Sequence, residues 1–425
     1  MDFTAHNMLI LVAAAATLAF GPVRADVHCD GVNDRADIQA AINAAAEGDV
    51  ITVYGHCVLD GQRVVIDRSN LTLRGDSADT DGDGFTDQWN TVLEGTGQDT
   101  DLLAGPYDNM GLHVGHVPAT DEDIVGVRIE GLELRNFYQA LTIAPGALAE
   151  DNLHCNALQV TAARAVQTRI RNNRFVDNAN HFFLYGGAEN TVFEGNQLEG
   201  GGGIPLASAT FVLGKRSICL DDPSSGDTSS IGIGISNNLK VFGNRFVGVG
   251  ATTFTGDLEL VNAKNSRIEN NEFTGDFLAL FLFGAINTRV ENNFFIDTLL
   301  DAIEMLNAQE SQVSGNVIVG SGLRGVVTFS IPAGDPIVTD LGLPQSANNN
   351  TTCNLVAGSG SRGVFIIDSD NLVSRNRFAD NPLDILLVAP GNDAVVGPSD
   401  TWVDATGVNH VTVTGSPSRC APAWD

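Results

Sequence analysis

The feature that most constrains this chain is a recurring asparagine. The segments Ile268-Glu269-Asn270-Asn271-Glu272-Phe273, Val290-Glu291-Asn292-Asn293-Phe294-Phe295 and Val313-Ser314-Gly315-Asn316-Val317-Ile318 can be laid over one another, with Asn271, Asn293 and Asn316 22 and 23 positions apart. The same frame recurs at Asn173, Asn196, Asn244, Asn354 and Asn376. An apolar residue lies two positions after each Asn, followed by a short β-rich run such as Leu278–Phe283, Ala302–Leu306 or Val364–Ile367. The repeat has no 3.6-residue period, and Val, Ile, Phe and Thr alternate with polar residues, which is strand patterning. A unit of about 22 residues cannot bury its own face, but stacked on identical neighbours it builds a continuous core. Asn suits the turn because it tolerates the left-handed conformation and its amide can bond to the Asn of the next unit.

This pattern resembles the right-handed parallel β-helix of the pectate-lyase-like superfamily, with its asparagine ladder in one turn. The resemblance covers most of residues 35–400. It implies an all-β fold, a single-stranded right-handed parallel β-helix forming one solenoid domain over residues 26–425. Many chemistries share that fold, so it does not by itself name a function. Asp37–Ala46 is Ala-rich, with Ile38, Ala41, Ile42 and Ala45 on one face, and reads as a short N-terminal helix that caps the first coil. Val50–Val53, Val64–Ile66 and Leu71–Leu73 are the expected first strands, and the coils become regular from Asn156. Insertions interrupt the repeat at 75–91, 214–236 and 332–350, with a shorter one at 247–256. Insertions on neighbouring turns map to loops on one face, so the last three are expected to wall a groove.

Composition narrows the setting. The formal charge is −29, which argues against nucleic acid as a partner. It also means that an anionic ligand needs a bridging cation or a local basic patch. Met8–Phe20 is apolar but too short to span a bilayer, and Val23-Arg24-Ala25 follows it. Residues 1–25 therefore read as a secretory signal, although Met1–Asn7 lacks Lys and Arg. No later segment reaches membrane length. The expectation is a secreted or periplasmic monomer. Six cysteines form an even set compatible with disulfides. Cys29 with Cys57 is the pairing expected at the start of the solenoid.

The first insertion carries Asp79, Asp81, Asp83 and Asp87 at relative positions 1, 3, 5 and 9, with Gly84 at position 6. That spacing resembles calcium loops of the EF-hand and dockerin type and, more closely, the Asp-rich calcium repeats of extracellular bacterial proteins. The resemblance implies a structural calcium held by these carboxylates and the Phe85 carbonyl, with Asn90 at position 12 in place of an acid. His113 and His116 lack a third ligand and read as incidental rather than as a metal pair.

One strand of each coil can be aligned across the repeat. Leu258, Leu280, Ile303, Val326 and Val364 form one core row, and Leu260, Leu282, Met305, Thr328 and Ile366 another. Alternation sends Glu259, Phe281, Glu304, Val327 and Phe365 outward, and likewise Val261, Phe283, Leu306, Phe329 and Ile367. Asp301, Arg324 and Arg362 read as a surface salt-bridge ladder. Phe281 and Phe283 are a candidate stacking surface for sugar rings, or are covered by the insertions.

Asp257, Glu259 and Lys264 resemble the metal-and-base segment of the chondroitinase-B and alginate-lyase family of β-helix enzymes. That resemblance implies a groove calcium on Asp257 and Glu259, with Lys264 as the base that abstracts the proton beside a uronate carboxyl. The residue after the lysine is Asn265 rather than Ser. No arginine lies near Leu282 on the next coil; Arg289 is too far along to match it and stands as a substrate-binding candidate. A second enzymatic reading pairs Glu259 with Glu304, two coils apart and so about 9–10 Å apart, as an inverting glycosidase pair. The polygalacturonase motifs are missing, and Asp221-Asp222 stands alone in an insertion. The competing class is a non-catalytic surface or matrix protein that binds polysaccharide.

Overall fold

In the computed structural model the described residues are 24–82, 84, 86–97, 109–117, 120–137, 139–144, 163–178, 180–184, 187–201, 211–214, 237–248, 256–261, 263–335, 338, 343–414 and 420. They form a right-handed parallel β-helix. Three parallel sheets of 14, 11 and 12 strands run the length of the solenoid. A full coil gives one strand to each sheet, and the incomplete coils at the ends give fewer. One coil is Arg267–Glu269 in the first sheet, Glu272–Thr274 in the second and Leu278–Phe283 in the third. The next coil repeats it with Arg289–Glu291, Phe294–Ile296 and Asp301–Leu306.

The corner between the first and second sheets explains the repeated asparagine. Asn173, Asn196, Asn244, Asn271, Asn293, Asn316, Asn354 and Asn376 form one continuous buried ladder. Each side-chain amide donates to the Oδ1 of the next at 2.9–3.1 Å. The same Oδ1 accepts a backbone N–H, as Asn316 does from Asn293 at 2.9 Å. Leu132 takes the Asn position one coil earlier, and its N–H donates to Asn173. The left-handed residue is not the ladder Asn but its predecessor: Asn270 has φ 57° and Asn292 φ 58°. Two jobs that the repeat suggested for one asparagine are thus divided between neighbours. Where glycine replaces the first, as at Gly315 with φ 67°, an added Cβ would lie 2.5 Å from the Asn292 Oδ1 of the preceding coil.

The core is ordered in the same rows. Phe246, Phe273 and Phe295 on the second sheet stack at 4.5 and 4.8 Å with interplanar angles of 9° and 4°. That separation is the spacing between adjacent strands. The capping helix spans Asp34–Ala44, starting three residues before the expected point, and buries Ile38 and Ile42 against the first coil. The Asp34 carboxylate fixes its start by accepting from the N–H groups of Asp30, Gly31 and Val58. Cys29 is bonded to Cys57, as expected, and Cys353 to Cys420. Cys155 and Cys219 lie outside the described residues.

The strand Arg24–His28 pairs with Val50–Tyr54, so Arg24 and Ala25, on the signal side of the expected cut, belong to the first rung. Residues 1–23 lie outside the described residues. Among those described, no helix is long and apolar enough to cross a membrane.

Candidate functional site

The third sheet carries the rows aligned above, in the expected register. Leu258 pairs with Leu280, Ile303, Val326 and Val364 in turn. On the outer face Glu259 pairs with Phe281, Phe281 with Glu304, Glu304 with Val327 and Val327 with Phe365. Further back on the same sheet Thr142 pairs with His113. His113 was unassigned in the sequence because its coil lacks the asparagine. It is fully buried, and burial together with the Arg63 charge holds its pKa down to about 3, so the imidazole is neutral.

Glu304 is the central group of the row. Its side chain is half-buried, and its pKa is pushed up to about 7, first by burial, then by repulsion from Asp301 and Glu259, against the pull of Arg324. Glu259 is 6% exposed. Phe281 is half-buried between the two carboxyls. Strand spacing puts the two glutamates about 9–10 Å apart along the row. The floor beside Glu304 is braced by Arg324, whose Nε donates to Asp301 at 2.8 Å. Arg324 and Arg362 both lie against the Phe365 ring, at 5.6 and 4.7 Å from its centroid.

Several sequence-based assignments change. Asp257 does not point outward beside Glu259. It is fully buried and shares a hydrogen bond with Asp276 at the adjoining corner. The ladder pairs Gly256 with Leu278 and Leu258 with Leu280, and skips the residue between. The next coils place Ala279, Ala302, Gly325 and Gly363 there, all buried. A Cβ on Gly325 would meet the Val356 side chain at 2.5 Å, which shows that the position faces the interior. Strand alternation fails at this corner, so Asp257 and Glu259 do not form an outward metal pair. Burial first, and then the Asp276 carboxyl, raise the Asp257 pKa well above the ordinary carboxylate range. Asp276 was missed; its corner position carries Thr298, Ser321, Ser359 and Asn381 on later coils, an alignment visible in the sequence.

Asp301 is fully buried and the Arg324 side chain is 18% exposed, which makes their pair a partly buried brace rather than a surface ladder. Phe283 is 8% exposed. The 332–350 insertion folds back on this edge: Leu343 lies where a Cβ on Gly284 would be 2.4 Å away, and Asn307 donates to the Pro344 carbonyl at 2.8 Å. Phe283 is therefore covered and offers no stacking face. Arg289 is exposed but begins a strand of the first sheet, between Arg267 and Gln312, and does not face the groove. Lys264 lies past the end of the groove strand, on a seam of single bridges from Glu189 through Asn237 and Lys264 to Ile286. Asp221 and Asp222, and residues 215–236 and 249–255 of two insertions, lie outside the described residues.

The Asp79–Asn90 segment is a short antiparallel hairpin, Ser77–Ala78 against Gln88–Trp89. The Asp79 carboxylate accepts from the N–H groups of Gly82 and Gly84, and Asp87 accepts from Thr80. Trp89 Nε1 donates to the Asn172 carbonyl at 2.8 Å, and Arg174 packs over its ring, so the hairpin is already tied to the coils. Asp81 and Asn90 are exposed; Asp83 and Phe85 lie outside the described residues. Among the described residues no three His, Cys, Asp or Glu side chains converge on one point.

No protein-family model and no curated protein sequence matches the chain. Solved structures do. A tailspike protein of E. coli bacteriophage HK620, in complex with a pentasaccharide, is 12% identical over 90% of this chain and 67% of its own, with a TM-score of 0.57. PfbA, a surface adhesin of Streptococcus pneumoniae, is 12% identical over 90% and 87%, with a TM-score of 0.52. A DFA-IIIase from Arthrobacter chlorophenolicus A6, in complex with GF2, is 14% identical over 92% and 99%, with a TM-score of 0.52. At these identities the likeness is one of fold.

Proposed function

We propose that this protein binds a polysaccharide along the outer row of the third sheet and hydrolyses it with Glu304 and Glu259. The observation that carries the reading is Glu304, a half-buried carboxyl in line with Glu259 whose pKa stands at about 7. An acid poised near neutral pH is what protonation of a glycosidic oxygen requires. Glu304 gives its proton to the leaving oxygen as the C–O bond breaks. Glu259 takes a proton from the water that attacks the anomeric carbon from the opposite face. The separation of the pair, about 9–10 Å from strand spacing, stands near the upper limit for an inverting pair with an intervening water. Phe281 supplies the apolar face for a ring held between them, and the Asp301–Arg324 brace keeps Glu304 in place. The tailspike complex with a pentasaccharide and the DFA-IIIase complex with GF2 support a saccharide as the ligand.

Purified protein and the variants Glu304→Gln, Glu259→Gln and Phe281→Ala should be assayed against neutral and uronate polysaccharides for new reducing ends. Each Gln variant should lower turnover at least about 100-fold with binding retained, and Phe281→Ala should weaken binding. Wild-type activity should fall as pH rises through about 7, where Glu304 loses its proton. Binding without any turnover would leave the non-catalytic reading. An unsaturated product that disappears in Lys264→Ala would replace hydrolysis with elimination, Lys264 serving as base.

The hairpin remains the proposed structural calcium site, with Asp79, Asp81, Asp83, the Phe85 carbonyl, Asp87 and Asn90 as ligands. The two disulfides support an oxidising compartment, secreted or periplasmic. The proposed working form is a monomer, because the solenoid completes its core within one chain.

A further inference from the structure

The first sheet carries a row of cations on its outer face. Arg128 pairs with Arg169, Arg169 with Val192, Val192 with Lys240, Lys240 with Arg267 and Arg267 with Arg289. Five of six consecutive rungs therefore present Lys or Arg at one position, and all five side chains are exposed. The whole chain has 23 Lys and Arg against 52 Asp and Glu. Acids are abundant, yet only Arg267 has an ion pair, with Glu269 at 3.4 Å. Arg128, Arg169, Lys240 and Arg289 make none among the described residues. Stacking like charges at a rung spacing of about 4.8 Å opposes folding rather than aiding it, so the row has no structural reason of its own.

Its borders define what it can hold. On the corner side runs a neutral amide row that includes Asn265 and Asn287, linked by a hydrogen bond of 2.7 Å. On the other side, two residues along each strand, the row reads Glu130, Arg171, Glu194, Phe242, Glu269 and Glu291, an acidic border broken at Arg171 and Phe242. The positive track thus spans six rungs, five of them cationic, and is one side chain wide except where Arg171 stands beside Arg169.

We infer that this track binds a single linear polyanion lying along the solenoid axis, and specifically an acidic polysaccharide. A linear polyuronate carries one carboxylate per sugar on a single extended chain, which suits a narrow cationic track, and its hydroxyls can bond to side-chain amides. A duplex nucleic acid would press its second phosphate strand against the glutamates. The track lies on a different sheet from Glu304, so it is a second site, independent of the hydrolytic reading. It would hold an anionic chain that the acidic groove does not attract.

The test uses the full-length protein with polygalacturonate, neutral dextran and single-stranded DNA as probes, by affinity electrophoresis at low and high salt. Polygalacturonate should retard the wild type, less so at high salt, and dextran should not retard it through this face. Arg169→Glu/Lys240→Glu/Arg289→Glu should weaken polygalacturonate binding at least about 10-fold, since three attractions become repulsions. Arg169→Gln/Lys240→Gln/Arg289→Gln, with an unchanged melting temperature, separates lost charge from lost fold and should give an intermediate loss. Neither triple variant should alter turnover of a neutral polysaccharide, which keeps the track separable from the groove. Polygalacturonate binding unchanged in the folded Gln variant, or no binding by the wild type, overturns the inference. Retention by DNA in preference to polygalacturonate overturns the assignment of the partner.

Discussion

Two carboxyls, Asp257 and Glu304, keep their protons above the ordinary range, and burial is the leading cause for both. The sign of the consequence follows. In the unfolded chain such groups titrate near pH 4. Between that pH and the folded value, the native state binds more protons than the unfolded one. Stability from these groups is therefore complete below the unfolded pKa and is lost as pH rises through the folded one. For Glu304 the window runs from 4.5 to about 7, and for Asp257 it extends upward from 3.8. Asp257→Asn replaces a proton that can be lost with an amide that cannot lose one, and the amide can donate to an ionised Asp276. The wild-type melting temperature should fall between about pH 5 and pH 8, and Asp257→Asn should flatten the fall and melt higher at the alkaline end. Parallel curves for the two proteins would show that the shared proton is not the source.

The coil is the element that repeats, and its corners set its stability. Asn293 satisfies its own amide and the backbone on both sides, donating to Asn316 and to the Ile268 carbonyl and accepting from Asn271. Asn293→Ala strands several buried polar groups and should lower the unfolding free energy by about 3 kcal/mol. Asn265, in an exposed chain of amides at another corner, bonds Asn287 and Asn237 where water can replace it. Asn265→Ala should cost under about 1 kcal/mol, and denaturant melts of the two variants give the comparison. The hairpin at residues 77–89 is a decorated corner tied down by Trp89. If it also holds calcium, the ion should raise the melting temperature of the wild type, and Asp81→Ala with Asp83→Ala should abolish the rise. A wild type indifferent to calcium would remove the site.

At the scale of the molecule, a solenoid exposes an open sheet edge at each end, and an open edge pairs readily with other chains. The helix Asp34–Ala44 covers the first coil through Ile38 and Ile42, and the Cys29–Cys57 bond holds the same region. Ile42→Asp should lift the helix without disturbing the coils beyond it. The expected result is concentration-dependent self-association with retained β-sheet circular dichroism, checked by light scattering. Whole-molecule charge matters as well. With a net charge of −29, an anionic ligand meets net repulsion that the proposed Arg128–Arg289 track would offset locally, so its binding there should weaken with salt.

The amino-acid sequence by itself determined the repeat, the register and the layering. Asn271, Asn293 and Asn316 recur at the coil length, Leu258, Leu280 and Ile303 mark one inward row, and Glu259, Phe281 and Glu304 mark the outward one. These follow from a period of two within a strand and one unit per coil, both local properties. The helix cap and the Cys29–Cys57 bond were legible for the same reason, since their partners lie within the first coil. Tertiary structure decided the rest. Asp257 turns inward because the corner breaks the alternation, and only the stacked coils show the break. Phe283 is buried and stacks on Phe281, and Leu343 packs at the neighbouring Gly284 from about 60 positions away in sequence. Arg289 is assigned to another face by the coil's winding. The proton on Glu304 depends on burial and on Asp301, Arg324 and Glu259 together, groups that three different coils bring into one place.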